Sequence, residues 1–386
     1  MKFITTVVLA FAVLLAGCAA SVPLKPLTPE QRNSLVDGSA LGLGGTEPLR
    51  LPDDDVLGVS EEMKHFAKQA VAGYHTDANR LQALVDKLIS PDGLGITYST
   101  DASYTARQAF ASRQANCLSF TTLVIALARY LGLEARFNEV EVPPVWGLQN
   151  NNTLVQYRHV NAIFRLRGAL TQVVDINLGD YDPSFQQQRI PDRLAIAQYY
   201  NNRAMVFLKQ KRYGDALRYL AKSLTLEPDV SYLWSNLGSL YRRAGKLDAA
   251  ELAYRNALDK DPRDLLAMSN AARLYRELGD IQRAEALESK VKYYRKRNPY
   301  YQYRQALTAF MAKDYSRARD YVTTAIRIYP REHRFYFLLG AIYQLTGKDE
   351  LARRNIDKAI DLATDEKQIS RYRHKFDMLL SDPPAG

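Results

Sequence analysis

Cys117, His159 and Asp175 are the residues of this chain whose types and settings suit nucleophilic attack on a carbonyl carbon. Cys117 opens an apolar segment that runs to Leu131, with Asn116 before it as a good helix N-cap and Gly132 after it as a left-handed terminator. The pattern predicts a buried helix that starts at the cysteine. Unpaired N–H groups and the positive end of the helix dipole would then meet the sulfur, a setting that favours thiolate, the reactive form. A structural cysteine packed as a small hydrophobe fits the same segment, and the helix alone does not separate the two readings.

The elements that must bring the other two residues to Cys117 follow it in the chain. Arg136–Val142 alternates like a strand, a second strand is expected from about Leu154 to Arg165, and a third from Leu170 to Asn177. Leu166-Arg167-Gly168 reads as a three-residue hairpin loop with Gly at its left-handed position. Pairing symmetric about Arg167 places His159 opposite Asp175, with Cβ atoms ~5 Å apart on one face; a bulge at Gly168 would shift this register by one. Asp175 lies among Val173, Val174 and Ile176, where a carboxylate needs a partner, and His159 is the natural one. Zinc binding by the three residues would lack a fourth ligand and any short paired spacing. His65, His75, His333 and His374 are scattered and read as surface or helix positions. Upstream, Glu61–Ile89 has helical spacing as one helix or a broken pair stopped at Pro91-Asp92-Gly93, and Thr105–Arg113 is a further candidate helix.

A helix-start Cys followed by His and Asp on adjacent strands resembles the transglutaminase-like superfamily, which shares the papain-type thiol fold. The resemblance runs over about residues 60–190 and is carried by Ala115-Asn116-Cys117 through Arg136, by Arg158-His159-Val160-Asn161-Ala162 and by Val174-Asp175-Ile176-Asn177. Asn116 stands where many members have an acidic residue. The resemblance implies that Cys117 attacks a carboxamide carbon, that His159 takes and returns the proton, and that Asp175 fixes the imidazole tautomer. The Cys117 N–H would supply one oxyanion contact, each such donor being worth ~3 kcal/mol. Gln114 and Gln108 are candidates for a second. Trp146, in a Pro- and Asn-rich loop, lines the acyl-donor groove or simply packs. No cofactor and no metal is implied.

From about Ile196 the sequence repeats with a period near 34 residues. The clearest unit contains Trp234, Leu237, Gly238, Tyr241, Ala250, Tyr254, Ala257 and Pro262, which matches the tetratricopeptide pattern. Small residues let the two helices of a hairpin approach, large ones fill the space between, and each hairpin leaves an apolar face for its neighbour. The third unit is the weakest, with Glu288 at a usually apolar position and its proline delayed to Pro299. The expectation is about five repeats over 195–364 and a capping helix with a tail over 365–386, after a thiol domain over 61–194. The fold class expected is thus an α+β papain/transglutaminase-like domain joined to an all-α tetratricopeptide solenoid, which implies a protein or peptide partner in the repeat groove.

The start of the chain resembles a bacterial lipoprotein signal: Lys2, an apolar run well short of the ~20 residues needed to cross a bilayer, then Leu15-Ala16-Gly17-Cys18. The resemblance implies removal of 1–17, lipidation of Cys18, and placement in the outer membrane facing the periplasm, because Ala19 follows where Asp would retain the protein at the inner membrane. Residues 18–60 are rich in Pro, Gly, Ser and Asp and read as a tether, with Asp53-Asp54-Asp55 as a solvated loop rather than a metal site. The formal charge is +10, and residues 196–386 hold 35 Lys and Arg against 23 Asp and Glu, so the repeats carry the whole excess. A basic surface of this kind suits anionic headgroups, polysaccharide or acidic protein, and no nucleic-acid-binding motif accompanies it. An amide-acting cysteine enzyme is the leading expectation, hydrolysis ahead of transglutaminase-type transfer, with a non-catalytic envelope scaffold as the alternative.

Overall fold

The computed structural model describes residues 26–43, 48–140, 148–149, 153–154, 159–166, 171–176, 187–363, 369–374 and 376. Residues 26–43 and 48–60 of the segment expected as a tether lie instead along the surface of the folded units. Thr28 and Gln31 form a capping box at the start of α1 (Pro29–Ser34), and a 3-10 turn follows at Ser39–Leu41. Leu27 and Leu35 are buried in the apolar cluster of the first repeats, and the Tyr241 hydroxyl donates to the Leu35 carbonyl at 2.5 Å. Asp53 and Asp55 are exposed in a loop, as expected, and each of the three aspartates also has a partner. Lys222 reaches Asp53 at 2.9 Å, the Tyr199 hydroxyl donates to the Asp54 carboxylate at 2.9 Å, and Arg107 pairs with Asp55. The strap has no period of its own because its apolar and acidic residues are spaced to match the surfaces they meet.

The thiol domain begins with α2 (Glu61–Ala70) and α3 (Asp77–Ile89), the broken pair, each capped by a hydroxyl from Ser60 or Thr76. β1 (Thr97–Tyr98) leads to α4 (Ala106–Ser112), and β2 (Gln114–Ala115) pairs in parallel with β1. Then comes α5 (Cys117–Tyr130), capped by the Asn116 side chain, with every residue from Leu118 to Ala128 buried. A helix apolar on all faces has to be covered on all faces. Here α2, α3 and α4 contact it as well as the sheet strands β3 (Glu134–Val140) and β6 (His159–Arg165). Each fully buried Leu, Ile or Phe there adds roughly 1.5–3 kcal/mol. The short ribbon β4 (Leu148–Gln149) with β5 (Thr153–Leu154) comes between those two strands in sequence. β7 (Thr171–Val174) and β8 (Gln187–Ile190) complete an antiparallel sheet of order β7-β6-β3-β8.

α6 (Asp192–Lys209) belongs to both units. Ala195, Tyr199 and Tyr200 sit in the core of the thiol domain, while Ala204, Phe207 and Leu208 sit in that of the repeats, so the boundary expected at 194/195 falls inside one helix. Arg129 on α5 pairs with Asp192, and Gln198 donates to Glu139 of β3 at 2.8 Å. The solenoid pairs α6 with α7 (Tyr213–Leu226), α8 (Ser231–Arg243) with α9 (Leu247–Lys260), α10 (Leu265–Glu277) with α11 (Ile281–Lys296), α12 (Pro299–Met311) with α13 (Tyr315–Ile328), and α14 (His333–Leu345) with α15 (Asp349–Leu362). A Cβ on Gly238 would come within 2.6 Å of the Tyr254 ring, and one on Gly340 within 2.7 Å of Ile356, which is why glycine stands at both crossings. The turn inside each hairpin uses one left-handed residue, and it recurs every 34 positions at Lys211, Gly245, Gly279, Lys313 and Gly347. Pro299 does not end α11; it opens α12, capped by Asn298. The apolar core is interrupted at this joint, with one cluster ending at Val291 and the next beginning at Ala306. At the far end residues 369–374 are helical, and Tyr372 stacks on Phe337 with ring centroids 4.3 Å apart.

Candidate functional site

The backbone before Cys117 is tied down residue by residue. Arg113 ends α4 in a left-handed conformation (φ 55°), uncommon for a side chain of its size, and its carbonyl accepts the Thr97 N–H at 3.0 Å. Ser99 donates to the Ala115 carbonyl at 3.0 Å, and the Asn116 N–H donates to Ala102 at 3.1 Å. The Asn116 carboxamide then works at both ends, accepting the Ser119 N–H and donating to the Ser103 hydroxyl, each at 2.9 Å. Ser119 in turn accepts the Tyr104 N–H at 2.7 Å. Amid this buried framework Cys117 itself is only half-buried, unlike the residues on either side of it. A cysteine serving only to fill the core has no reason to be partly exposed at the start of a helix whose next eleven residues are buried.

His159 begins β6 next to that opening. Thr121 of α5 donates to the Val160 carbonyl at 3.0 Å, locking α5 to β6 one residue from His159. Nε2 of His159 meets a carboxylate oxygen of Asp175, and the Cys117 thiol interacts with the same imidazole and helps to raise its pKa. Burial opposes charge on His159, but the hydrogen bonds to Asp175 and Cys117 outweigh it, so its pKa is pushed up to about 10. At neutral pH the ring is a positively charged donor held between a carboxylate and the sulfur.

The strand register differs from the one expected. Ala162 pairs with Val174 and Arg165 with Thr171, so the pairing is symmetric about position 168 and not 167, and five residues separate the last pair instead of three. β7 ends at Val174, so Asp175 stands one residue beyond the ladder, level with Asn161. His159 reaches it along the diagonal, two residues further on the same face, a span of roughly 7–8 Å between backbones that an imidazole and a carboxylate bridge. The position beside Asp175 belongs to Asn161, which is fully buried and donates to the carboxylate at 3.3 Å. The Asn138 amide of β3 donates to the side-chain Oδ1 of Asn161 at 2.8 Å and to Oε1 of Gln187 of β8 at 2.9 Å. This amide chain across the sheet went unrecognised in the sequence, although Asn161 lies two residues from His159.

Of the oxyanion candidates, Gln108 has its carboxamide oxygen committed to the capping box of α4, accepting the Thr105 N–H at 3.1 Å. Gln114 is exposed on β2, three residues before the sulfur in the chain. Trp146 and Cys18 lie outside the described residues. No helix among the described residues is long and apolar enough to cross a membrane.

Comparison with known proteins follows the same division of the chain. Residues 64–164 match the model of the transglutaminase-like superfamily, and 201–264, 235–301 and 303–366 match that of the tetratricopeptide repeat. Among curated proteins, the uncharacterized protein ycf37 of Pyropia yezoensis is 31% identical over 101 residues, covering 26% of this chain and 54% of that protein. The heat shock protein sti1 homolog of Schizosaccharomyces pombe is 34% identical over 86 residues, 22% of this chain and 13% of its own length. The chain thus spans about half of one of these relatives and a small part of the other. Similar solved structures include MamA ("MamA MSR-1 C2"), 19% identical over 43% of this chain and 95% of that one with a TM-score of 0.23. Another is pilF of Pseudomonas aeruginosa, 16% identical over 48% and 87% with a TM-score of 0.26.

Proposed function

Starting from a chain that joins a transglutaminase-like thiol domain to tetratricopeptide repeats, we propose a cysteine enzyme that acts on amide bonds of a polypeptide recruited by its repeats. The single observation that carries this reading is the His159 imidazole in contact with both Asp175 and the half-buried Cys117. In the first step the Cys117 thiolate adds to a carboxamide carbon, and the oxyanion formed is met by the Cys117 N–H at the start of α5. The C–N bond then breaks, the departing amine takes its proton from His159, and a thioester remains. Water attacks the thioester while His159 accepts a proton, the C–S bond breaks, and the acid is released with the thiolate and imidazolium restored. Asp175 keeps Nε2 of the ring turned to itself and balances the imidazolium charge throughout. A primary amine in place of water gives acyl transfer by the same steps. The proposed setting is the periplasmic face of the outer membrane, anchored by a lipid on Cys18; metabolic lipid labelling that survives Cys18→Ser would refute it.

The decisive measurement is the rate at which an amide-site thiol probe labels Cys117. Labelling at least ~10-fold faster than a free peptide cysteine, lost in His159→Ala, is the expected result. Labelling at the free-cysteine rate would sink the enzymatic reading. If Cys117→Ala then complements a deletion strain as well as wild type, the domain serves as a scaffold in which the thiol is idle. Incorporation of a labelled primary amine into envelope protein would identify transfer over hydrolysis.

A further inference from the structure

The joint where the third hairpin meets the fourth is a groove with a volume of about 1060 Å³, walled by α10, α11, α12 and α13. It exists because the core is interrupted there, between Val291 and Ala306. Its lining is strongly basic, with Arg273, Lys292, Arg295, Lys296, Arg304 and Arg327 all facing it. The two carboxylates in the lining are already engaged by arginines, Glu288 with Arg276 at 2.6 Å and Asp320 with Arg319 at 3.1 Å. Arg273 is the extreme case: its Nη1 is buried and has no hydrogen-bond acceptor among the described residues. Burial and the neighbouring Arg242 hold its pKa below the ordinary guanidinium range, and burial lowers that of Arg304 as well, with Tyr301 opposing and Arg295 adding to the shift. Crowding desolvated like charges destabilises a fold unless an opposite charge arrives.

We propose that this groove is the docking site for an acidic segment of the partner polypeptide. The proposal deepens the recruiting half of the function proposed above and rests on it for the polypeptide nature of the partner. A membrane surface fits poorly, because Arg273 and Arg304 are recessed between helices where a planar headgroup layer does not reach. An extended chain fits well, with the Tyr301 and Tyr321 rings in the lining to pack against it and with cations on all four helices for its carboxylates. β5, in the connection leading to His159, lies within 8 Å of α10, one wall of the groove, Cα to Cα.

The test uses the full chain carrying Cys117→Ala and a fluorescent peptide of alternating Glu and Ala, read by anisotropy, beside the same peptide with Gln for Glu. The Glu peptide is expected to bind and the Gln peptide not, with affinity falling roughly tenfold or more on raising salt to about 0.5 M. Arg273→Gln combined with Arg304→Gln is expected to weaken binding by at least about tenfold, with a thermal midpoint unchanged or raised. Arg354→Gln, on the exposed face of α15 away from the groove, should leave affinity within about twofold. Equal binding of the two peptides, full affinity in the double variant, or tighter binding of an oligonucleotide or anionic vesicle through the same two arginines would each overturn the proposal. Because Cys117 is absent, failure here leaves thiol chemistry untouched, and failed labelling of Cys117 in the wild type leaves the groove untouched.

Discussion

Asn161 acts on the site through Asp175, whose direction decides how His159 is held. Its amide and His159 share one carboxylate oxygen, and Asn138 fixes the orientation of that amide. Asn161→Ala should therefore slow alkylation of Cys117 by about 10-fold or more, as loss of an orienting partner typically does. The alkaline limb of its pH–rate profile should shift to lower pH as His159 loses part of its support. An unchanged profile at reduced rate would mark Asn161 as merely structural. The pKa of His159 also sets a stability signature. It is raised from 6.5 to about 10, so its contribution is complete below about 6.5 and is lost as pH climbs towards 10. Thermal midpoints should fall by a few °C over that window in wild type and much less in His159→Gln. Tyr200, pushed up to about 12 by burial, adds its own loss only above its unfolded value of 10.0. Cys117 and His159 were legible in the sequence because a cap, an apolar helix and a strand each leave a pattern. The Asn138–Asn161–Gln187 chain was not, since a carboxamide in a strand carries no local signature and its partners lie on other strands.

Among the elements, local chemistry was readable wherever both partners sit within one hairpin. Gly238 against Tyr254 and the alanines of each crossing follow from the repeat pattern alone. The hairpin after β6 was misjudged because its loop was placed from a single glycine. The strand pairing is symmetric about position 168 and not 167, and the error moved every cross-strand partner by two. The 34-residue period of left-handed turns yields a sharper expectation. Lys211 and Lys313 occupy positions where Gly245, Gly279 and Gly347 pay no steric penalty. Lys313→Gly should accordingly be neutral or stabilise by up to about 1 kcal/mol, whereas Gly279→Ala should destabilise by about 1 kcal/mol. Gly238→Ala should cost more, roughly 1–3 kcal/mol, because the Tyr254 ring has to move. Denaturant midpoints of the three variants check the order; a destabilising Lys313→Gly would contradict it.

At the scale of the whole molecule, long-range features were the least visible in sequence: a strap that welds the first repeats to the thiol domain, a helix shared by two cores, and a break further along the solenoid. The first two predict that residues 61–260 unfold as one unit, because α6 cannot leave either core without exposing the other. The break predicts that 299–363 opens at lower cost, since a solenoid is held by nearest-neighbour interfaces and the one at α11 and α12 lacks continuous apolar contact. Asp54→Ala tests the coupling. It removes the acceptor of the Tyr199 hydroxyl, whose pKa burial and the Asp54 carboxylate hold far above the usual tyrosine value, and leaves that hydroxyl without its partner inside the joint. An unsatisfied buried donor costs about 1–3 kcal/mol. Hydrogen exchange should accordingly quicken together in 106–130 and 192–209 while 299–363 exchanges as before. Uniform acceleration across the chain would mean the break is no boundary, and acceleration confined to α6 would mean the strap does not couple the two cores.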